Sequence, residues 1–199
     1  ARQEAAALGW SGARFPWESA GDGRDVTPVS VIGRGGEPIP IRTGVHEEHV
    51  VADVAWAAAE YAAWTGDDAL LAGPGRDLLL ETARYWASRI RSDHDGRGHL
   101  YGVMGPDEYH EIVDDNAYTN VMARWNIARA LETINLISDR WPERGGELLR
   151  KLAIGEHELA DWRDAVDRIV TGFDPASGRY EQFAGYHALE PINLADYAS

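Results

Sequence analysis

The sequence predicts an all-α fold, a layered or toroidal domain built from long helices. Apolar residues recur at helical spacing in several long segments, such as residues 117–138. These segments are joined alternately by short turns and by long loops that are rich in Gly and Pro. No segment combines alternating apolar and polar residues with turn residues at both ends, so no strand is predicted.

The predicted elements follow in chain order. Residues 1–8 are good helix formers without a start signal and predict the second half of a helix. Residues 9–44 hold many Gly and Pro and predict a long ordered loop, because their aromatic residues are too apolar for disorder. Glu47 and Glu48 fall in the first turn of the next helix, where the helix dipole favours anions. Further helices are predicted over residues 46–64, 76–91 and 117–138, from Pro142 onward and over residues 156–170.

Composition and charge argue against several classes of protein. The 19 Lys and Arg residues against 33 Asp and Glu give a net charge of −14, which disfavours binding to nucleic acid or to an anionic membrane surface. Cys is absent, so disulfides, zinc thiolates and thiol nucleophiles are excluded. No run of residues could span a bilayer and no signal-peptide pattern occurs, so a cytoplasmic location is expected. Eight Trp and eight Tyr suit a sugar-binding cleft, although the Trp residues could also simply be core.

Residues 101–120 form the segment best suited to catalysis. Five carboxyl groups lie between Asp107 and Asp115, and the segment holds no Lys or Arg. Repulsion and partial burial would raise the pKa of at least one of these acids, which could then act as a general acid near neutral pH. Gly105-Pro106 predicts a turn that holds the following residues in place. A solvated acidic surface and a calcium site are alternatives, but the spacing does not fit the helix–loop–helix calcium loop.

Metal and nucleophile chemistry find little support. His46 and His49 lie three residues apart on one predicted helical turn, but no third ligand is placed near them, so no metal site is predicted. The Ser residues lack the Gly-x-Ser-x-Gly elbow. The cluster Gly33-x-Gly35-Gly36 follows no strand and opens no helix, which argues against a phosphate-binding loop.

Four segments, taken in order, point to one enzyme family. They are Gly12-Ala-Arg-Phe-Pro-Trp-Glu-Ser-Ala20, His49-Val-Val-Ala-Asp-Val-Ala-Trp56, Gly105-Pro-Asp-Glu-Tyr-His110 running through Asp115-Asn-Ala-Tyr-Thr-Asn120, and the weaker Tyr180-Glu-Gln-Phe183. This set resembles glycoside hydrolase family 65, which contains maltose, kojibiose, nigerose and trehalose phosphorylases with a few hydrolases. The resemblance implies an (α/α)₆ barrel, in which two rings of helices carry the active site at one end.

The resemblance also implies a mechanism. Glu108 matches the Glu of the family's Gly-Pro-Asp-Glu-Tyr motif, which is the general acid. This acid protonates the glycosidic oxygen while phosphate attacks the anomeric carbon from the opposite face. An α-glucosyl disaccharide of the maltose, kojibiose, nigerose or trehalose type then gives β-glucose 1-phosphate and a free sugar. Inorganic phosphate is a co-substrate, no cofactor is implied, and a homodimer is expected.

Two loops supply the expected substrate contacts. Trp17 could stack on a sugar ring or anchor its own loop in the core. Asp107 could orient the acidic segment or bond a sugar hydroxyl, and Asn116 is also expected to brace that segment together with Asn120 and Arg124. The substrate-binding candidates are Trp17, Glu18, Asp107, Tyr109, Glu111 and Asn116, with Asp115 as a further candidate.

By the same resemblance, residues 1–199 are part of a single helical catalytic barrel domain that lacks the preceding β-sandwich and the C-terminal part of the barrel. This chain alone is therefore expected to be inactive. Two other functions stay open. An inverting α-glucosidase would need a second carboxylate roughly 6.5–9.5 Å from the acid, which Glu18 could supply. A non-catalytic helical domain that binds a sugar or a partner would leave the acidic segment without a role.

Overall fold

The computed structural model describes residues 1–193 as a helical domain with short β-hairpins. Positions 194–199 of the predicted domain lie outside the described residues. The helices are α1 (Arg2–Ala7), α2 (Thr43–His46), α3 (Val50–Thr65), α4 (Asp68–Ala72), α5 (Pro74–Arg89), α6 (Ala117–Arg140), α7 (Pro142–Lys151) and α8 (Glu156–Arg168), with a 3₁₀ turn at Tyr186–Ala188. None of the helices within residues 1–193 combines the length and the apolar character that crossing a membrane requires.

Helices α5 and α6 form the centre of the fold. α6 packs along α5 and also contacts α7 and α8, while α3 packs against both α5 and α6. α3 buries Ala52, Ala55 and Ala59, whose spacing places them on one side of the helix. Because these side chains are small, the backbone of α3 can approach its neighbours closely. The large side chains of Trp86 and Trp162 are fully buried and belong to the same core.

The predicted helices are confirmed, with shifts at their ends that local chemistry explains. α5 begins at Pro74, whose fixed φ and missing N–H suit the first helical position, so it starts two residues before the predicted one. Pro142 likewise opens α7. α6 begins as predicted at Ala117, where the side chain of Asn116 caps it by accepting a hydrogen bond from the Thr119 N–H.

The predicted helix over residues 46–64 is wrong at its start. α2 ends at His46 and α3 begins at Val50, so Glu47 and Glu48 precede α3 and do not lie in its first turn. Glu48 is buried, and its carboxylate accepts hydrogen bonds from Tyr85 Oη at 2.7 Å and from Arg89 Nε at 3.0 Å. Partners from α5 therefore hold this connection, and the helix dipole alone does not explain its acidic residues.

The prediction that no strand is present is wrong for three short antiparallel hairpins. Their strands have only two or three residues, too few for an alternating pattern to appear in the sequence. One hairpin also contains two Pro residues, which cannot donate backbone hydrogen bonds. The hairpins are β1 (Ser30–Ile32) with β2 (Pro38–Pro40), β3 (Arg91–Ser92) with β4 (Gly98–His99), and β5 (Phe173–Asp174) with β6 (Arg179–Tyr180).

Candidate active site

The acid loop, residues 104–112, is tied at both ends. Val103 and Val113 exchange backbone hydrogen bonds of 2.9 and 2.8 Å across its base. The Met104 N–H donates to the carbonyl of His46 at 2.8 Å, and the His46 ring contacts the Gly102 carbonyl through Nδ1 at 2.7 Å. The loop is thus fastened to the end of α2, which brings Glu47 close to Glu108.

Asn116 links the acid loop to the start of α6. Its Oδ1 accepts hydrogen bonds from the Thr119 N–H and hydroxyl, both at 3.1 Å, and its Nδ2 donates to the Gln182 carbonyl at 3.3 Å. Gly105 packs so closely on this side chain that a Cβ atom there would collide with it. The side chain of Asn116 is therefore engaged in holding the loop, and its predicted contact with substrate stays a prediction.

The carboxylate of Asp107 organises the loop from within. Oδ1 accepts a hydrogen bond from the Tyr109 N–H at 3.0 Å, and Oδ2 lies 2.9 Å from His110 Nδ1 and 2.6 Å from Gln182 Nε2. The contacts with His110, Gln182 and the Tyr109 amide lower the pKa of Asp107. This geometry favours the role of orienting the loop, which is one of the two roles expected for Asp107.

Glu108 is exposed to solvent, and its carboxyl interacts with that of Glu47, which is only 1% exposed. Burial raises the pKa of Glu47 to about 7, the contact with His49 opposes this rise, and the neighbouring Glu108 adds to it. The sequence predicted a raised pKa for a carboxyl of the acidic segment. This raised pKa belongs to a buried residue outside that segment.

His49 joins Glu47 to the first turn of α3. Its Nε2 lies 3.2 Å from Glu47 Oε1 and its Nδ1 lies 2.6 Å from Asp53 Oδ2. Burial alone would lower the pKa of His49, but the interactions with Asp53 and Glu47 outweigh it and raise the pKa. Tyr118 donates from its hydroxyl to Asp53 Oδ1 at 2.9 Å, which completes a chain of polar contacts from α6 to the acid loop.

Aromatic rings border this chain of contacts. The half-buried ring of Trp17 stands edge-on to His49 with 5.9 Å between ring centres, and the Tyr118 ring does so at 5.3 Å. The structure therefore brings Trp17 from the long first loop to His49, which contacts Glu47 beside the acid loop, although Trp17 and the acid loop are about ninety positions apart in the chain. Glu18 lies exposed beside Trp17, and its N–H donates to the Thr27 hydroxyl at 3.0 Å.

Of the remaining acidic-segment candidates, Glu111 and Asp115 bind protein groups, whereas Tyr109 is exposed. Glu111 forms an ion pair with Arg42 at 3.1 Å, in which both side chains are largely solvent-accessible. Tyr109 is 81% exposed. Asp115 is buried, and its Oδ1 accepts from the Leu100 N–H at 3.1 Å and from Asn120 Nδ2 at 3.0 Å.

Asn120 contacts the acidic segment through Asp115, whereas Arg124 bonds to α8, so the bracing predicted for both residues stays a prediction. Asn120 Nδ2 also donates to the Val170 carbonyl at 2.6 Å, and Arg124 Nε donates to the Val166 carbonyl at 2.8 Å. Both contacts connect α6 to the chain at and beyond the end of α8. They hold the helix whose first turn carries Tyr118.

His46 and His49 bind different protein groups, so their rings do not share a metal position. Within residues 1–193, a set of three potential metal ligands is found at Asp93, His94 and Asp95, on a mostly exposed turn. Asp93 Oδ2 contacts the side chains of Arg97 and His99 at 2.9 and 3.2 Å. These contacts occupy the least exposed ligand of the set.

Sequence reasoning missed Glu47, His49 and Asp53 as site residues. The sequence does contain one signal for this site: His49 and Asp53 lie four residues apart in residues 49–56, a segment that resembles the family. An exposed carboxyl beside a buried one that contacts a His ring can hold and release a proton, and the adjacent aromatic rings suit a sugar.

Comparisons with known proteins identify relatives of this chain. The Glycosyl hydrolase family 65 central catalytic domain matches residues 1–199. The chain is 38% identical to a kojibiose phosphorylase of Thermoanaerobacter brockii over 187 residues, which cover 94% of the chain and 24% of that protein. It is 32% identical to a 1,2-alpha-glucosylglycerol phosphorylase of Bacillus selenitireducens, with 95% of the chain and 25% of that protein covered.

A solved structure shows the same fold. A human-microbiome protein assigned as a kojibiose phosphorylase superimposes with a TM-score of 0.82 at 23% identity, over 98% of the chain and 27% of that structure. The chain spans about a quarter of the length of the curated relatives it matches. The predicted fold class, part of an (α/α)₆ barrel, is confirmed. The chain belongs to glycosyl hydrolase family 65.

Proposed function

We propose that the protein carrying this chain is an inverting α-glucoside phosphorylase with Glu108 as its general acid. The observation that carries the proposal is the position of Glu108, on a loop that is fastened at both ends and beside the buried carboxyl of Glu47. The Glu108 proton passes to the glycosidic oxygen as its bond to the anomeric carbon breaks. A phosphate oxygen bonds to that carbon from the opposite face, which yields β-glucose 1-phosphate and a free acceptor.

The arrangement of carboxyl groups favours phosphorolysis over hydrolysis. Phosphate is itself the nucleophile, so one acidic side chain is enough, whereas an inverting hydrolase needs a second carboxylate roughly 6.5–9.5 Å away to activate water. Glu47 interacts directly with Glu108, which leaves no space between them for a sugar and a water molecule. Because its pKa is raised to about 7, Glu47 is partly protonated at neutral pH and is therefore a poor general base for activating water.

The names of the relatives give the first substrates to test. Relatives from three bacteria at 38–39% identity are kojibiose phosphorylases, and the Bacillus selenitireducens relative acts on glucosylglycerol. We propose kojibiose as the first substrate, with maltose, nigerose and trehalose as alternatives. Inorganic phosphate is the co-substrate, and the residues proposed to contact the disaccharide are Trp17, Glu18, Asp107, Tyr109, Glu111 and Asn116.

The decisive assay incubates the protein carrying this chain with each disaccharide, with and without inorganic phosphate. We expect β-glucose 1-phosphate to form only in the presence of phosphate, and Glu108→Gln to lower kcat by about a hundredfold or more. Glu132→Gln is the control, since Glu132 is an exposed residue of α6 that pairs with Arg129.

Two results would contradict the proposal. Release of glucose at the same rate without phosphate would favour an inverting α-glucosidase. Binding of disaccharide without turnover, or full activity of Glu108→Gln, would remove Glu108 from the reaction.

A further inference from the structure

We propose that Glu47 is a positioning residue for Glu108, with which it shares one proton so that the acid loop presents a protonated carboxyl to the leaving group. This inference rests on the proposed function of Glu108. It adds a residue that touches neither the sugar nor phosphate but sets the state of the group that does.

The two oxygens of the Glu47 carboxyl have different surroundings. Oε1 contacts His49 Nε2 at 3.2 Å, but Oε2 is buried and accepts no hydrogen bond from the donors of residues 1–193. A buried carboxylate oxygen without a partner is costly, because it has lost water and gained nothing in return. The neighbouring group that interacts with this carboxyl is Glu108, also a carboxyl.

Two adjacent carboxyls titrate as a pair. Two carboxylates side by side repel each other, so the pair retains a proton well above the pH at which a lone carboxyl loses it. With one proton between them, one carboxyl donates a hydrogen bond and the other accepts it, which satisfies Oε2 of Glu47. The titration then belongs to the pair, and its upper step sets the pH at which the general acid is lost.

His49 contacts the other oxygen of the Glu47 carboxyl and links it to Asp53. This contact opposes the rise in the pKa of Glu47, so it weakens the hold of Glu47 on the shared proton and favours its transfer toward the acid loop. The groups that face Glu47 are His49 of the α2–α3 connection and Glu108 of the acid loop; Asp53 of α3 and Tyr118 of α6 act through His49.

The test measures the pH profile of kcat/KM in the protein carrying this chain. In Glu47→Gln the second carboxyl is absent, so the repulsion that makes the pair retain a proton at higher pH is removed. We expect the alkaline limb of the profile to move down by about one pH unit or more and kcat at neutral pH to fall at least about tenfold, with little change in KM. Glu81→Gln is the matched control, because Glu81 is a buried carboxylate that pairs with Arg84 and Arg2. Its substitution should leave the alkaline limb in place.

An alkaline limb of Glu47→Gln that coincides with that of the wild type would overturn the inference. If Glu47→Gln fails to fold, Glu47→Asp decides by the same criterion, since it keeps a carboxyl but withdraws it from Glu108 by one methylene. The proposed function fails separately, through an active Glu108→Gln variant. A dead Glu108→Gln variant together with an unshifted Glu47→Gln profile therefore refutes only the role of Glu47.

Discussion

The Nδ1 atom of His49 lies 2.6 Å from Oδ2 of Asp53, one helical turn further along α3. The His49 side chain is 7% exposed and that of Asp53 is 32% exposed, so solvent screens this contact less than it would a surface pair. Burial lowers the pKa of His49, while Asp53 and Glu47 raise it further than burial lowers it. The raised pKa of the His49 ring is thus a product of its two acidic neighbours.

Asp53→Asn should lower the pKa of His49, which an NMR titration of the ring protons measures. A His whose pKa is raised by folding contributes stability that is fully present below its unfolded pKa of about 6.5 and is lost as the pH rises through the raised value. The variant should therefore lose about 1–2 kcal/mol relative to the wild type at pH 5–6, and less at pH 9.

Asp161→Asn is the control for this prediction. His157 and Asp161 form the same four-residue pair at 2.9 Å, but their side chains are 92% and 62% exposed. Exposed pairs contribute little to stability. An equal loss of stability in both variants, or one that does not depend on pH, would contradict the assignment.

Glu47→Gln should also weaken the pH dependence of stability, in the same sense as Asp53→Asn. Folding raises the pKa of Glu47 from 4.5 to about 7, so the folded state holds this proton more tightly than the unfolded chain does. Stability is therefore lost as the pH rises from 4.5 to about 7, by up to about 3 kcal/mol. Glutamine has no such titration, so the variant should gain relative to the wild type across that range. Urea unfolding at pH 5 and pH 8 checks this, and a constant difference between the two proteins would refute it.

The helices could be predicted because their apolar spacing reports local geometry. Ala123, Ile127 and Ala130 of α6 are all fully buried and follow one side of the helix, as the periodicity indicates. Short hairpins cannot be predicted from apolar spacing. Strands of two or three residues have no periodicity, and their pairing depends on the turn between them.

The site could be predicted only in part, because its other half depends on contacts between distant residues. Glu108 and Trp17 belong to recognisable motifs. The structure places Trp17 beside His49 and Glu108 beside Glu47. Glu47 looked like an ordinary first-turn acid. Glu47 lies in the break between α2 and α3, and Arg14 holds α2 in place by donating to the Gly44 carbonyl at 2.7 Å, thirty residues away. Spacing along the sequence gives no information on such a contact.

Gly105→Ala should displace the acid loop. A Cβ atom at this position would overlap the side chain of Asn116, which is buried and bonded on both sides, so the loop itself must move. We expect a loss of about 1–3 kcal/mol in stability. A displaced acid should also lower kcat by about tenfold to a hundredfold, because proton transfer depends on position.

Gly155→Ala is the matched control. Gly155 precedes α8 with φ of −101°, and no atom lies within 4 Å of a Cβ added there. Thermal unfolding and the phosphorolysis assay on both variants check the prediction. Unchanged turnover in Gly105→Ala would show that the acid loop tolerates movement at its base.

Asn116→Ala tests whether the residue that caps α6 also positions the acid loop. Removing an N-cap side chain costs about 1 kcal/mol, and Asn116 also loses its bond to the Gln182 carbonyl, which helps to hold the acid loop. Asp67→Ala removes a comparable cap from α4, where Oδ1 accepts from the Ala69 and Leu70 N–H groups at 3.0 and 3.2 Å. Both variants should lose similar stability, yet only Asn116→Ala should lower kcat, because only that cap also supports the Glu108 loop. Equal turnover in the two variants would mean that Asn116 stabilises α6 without positioning the acid.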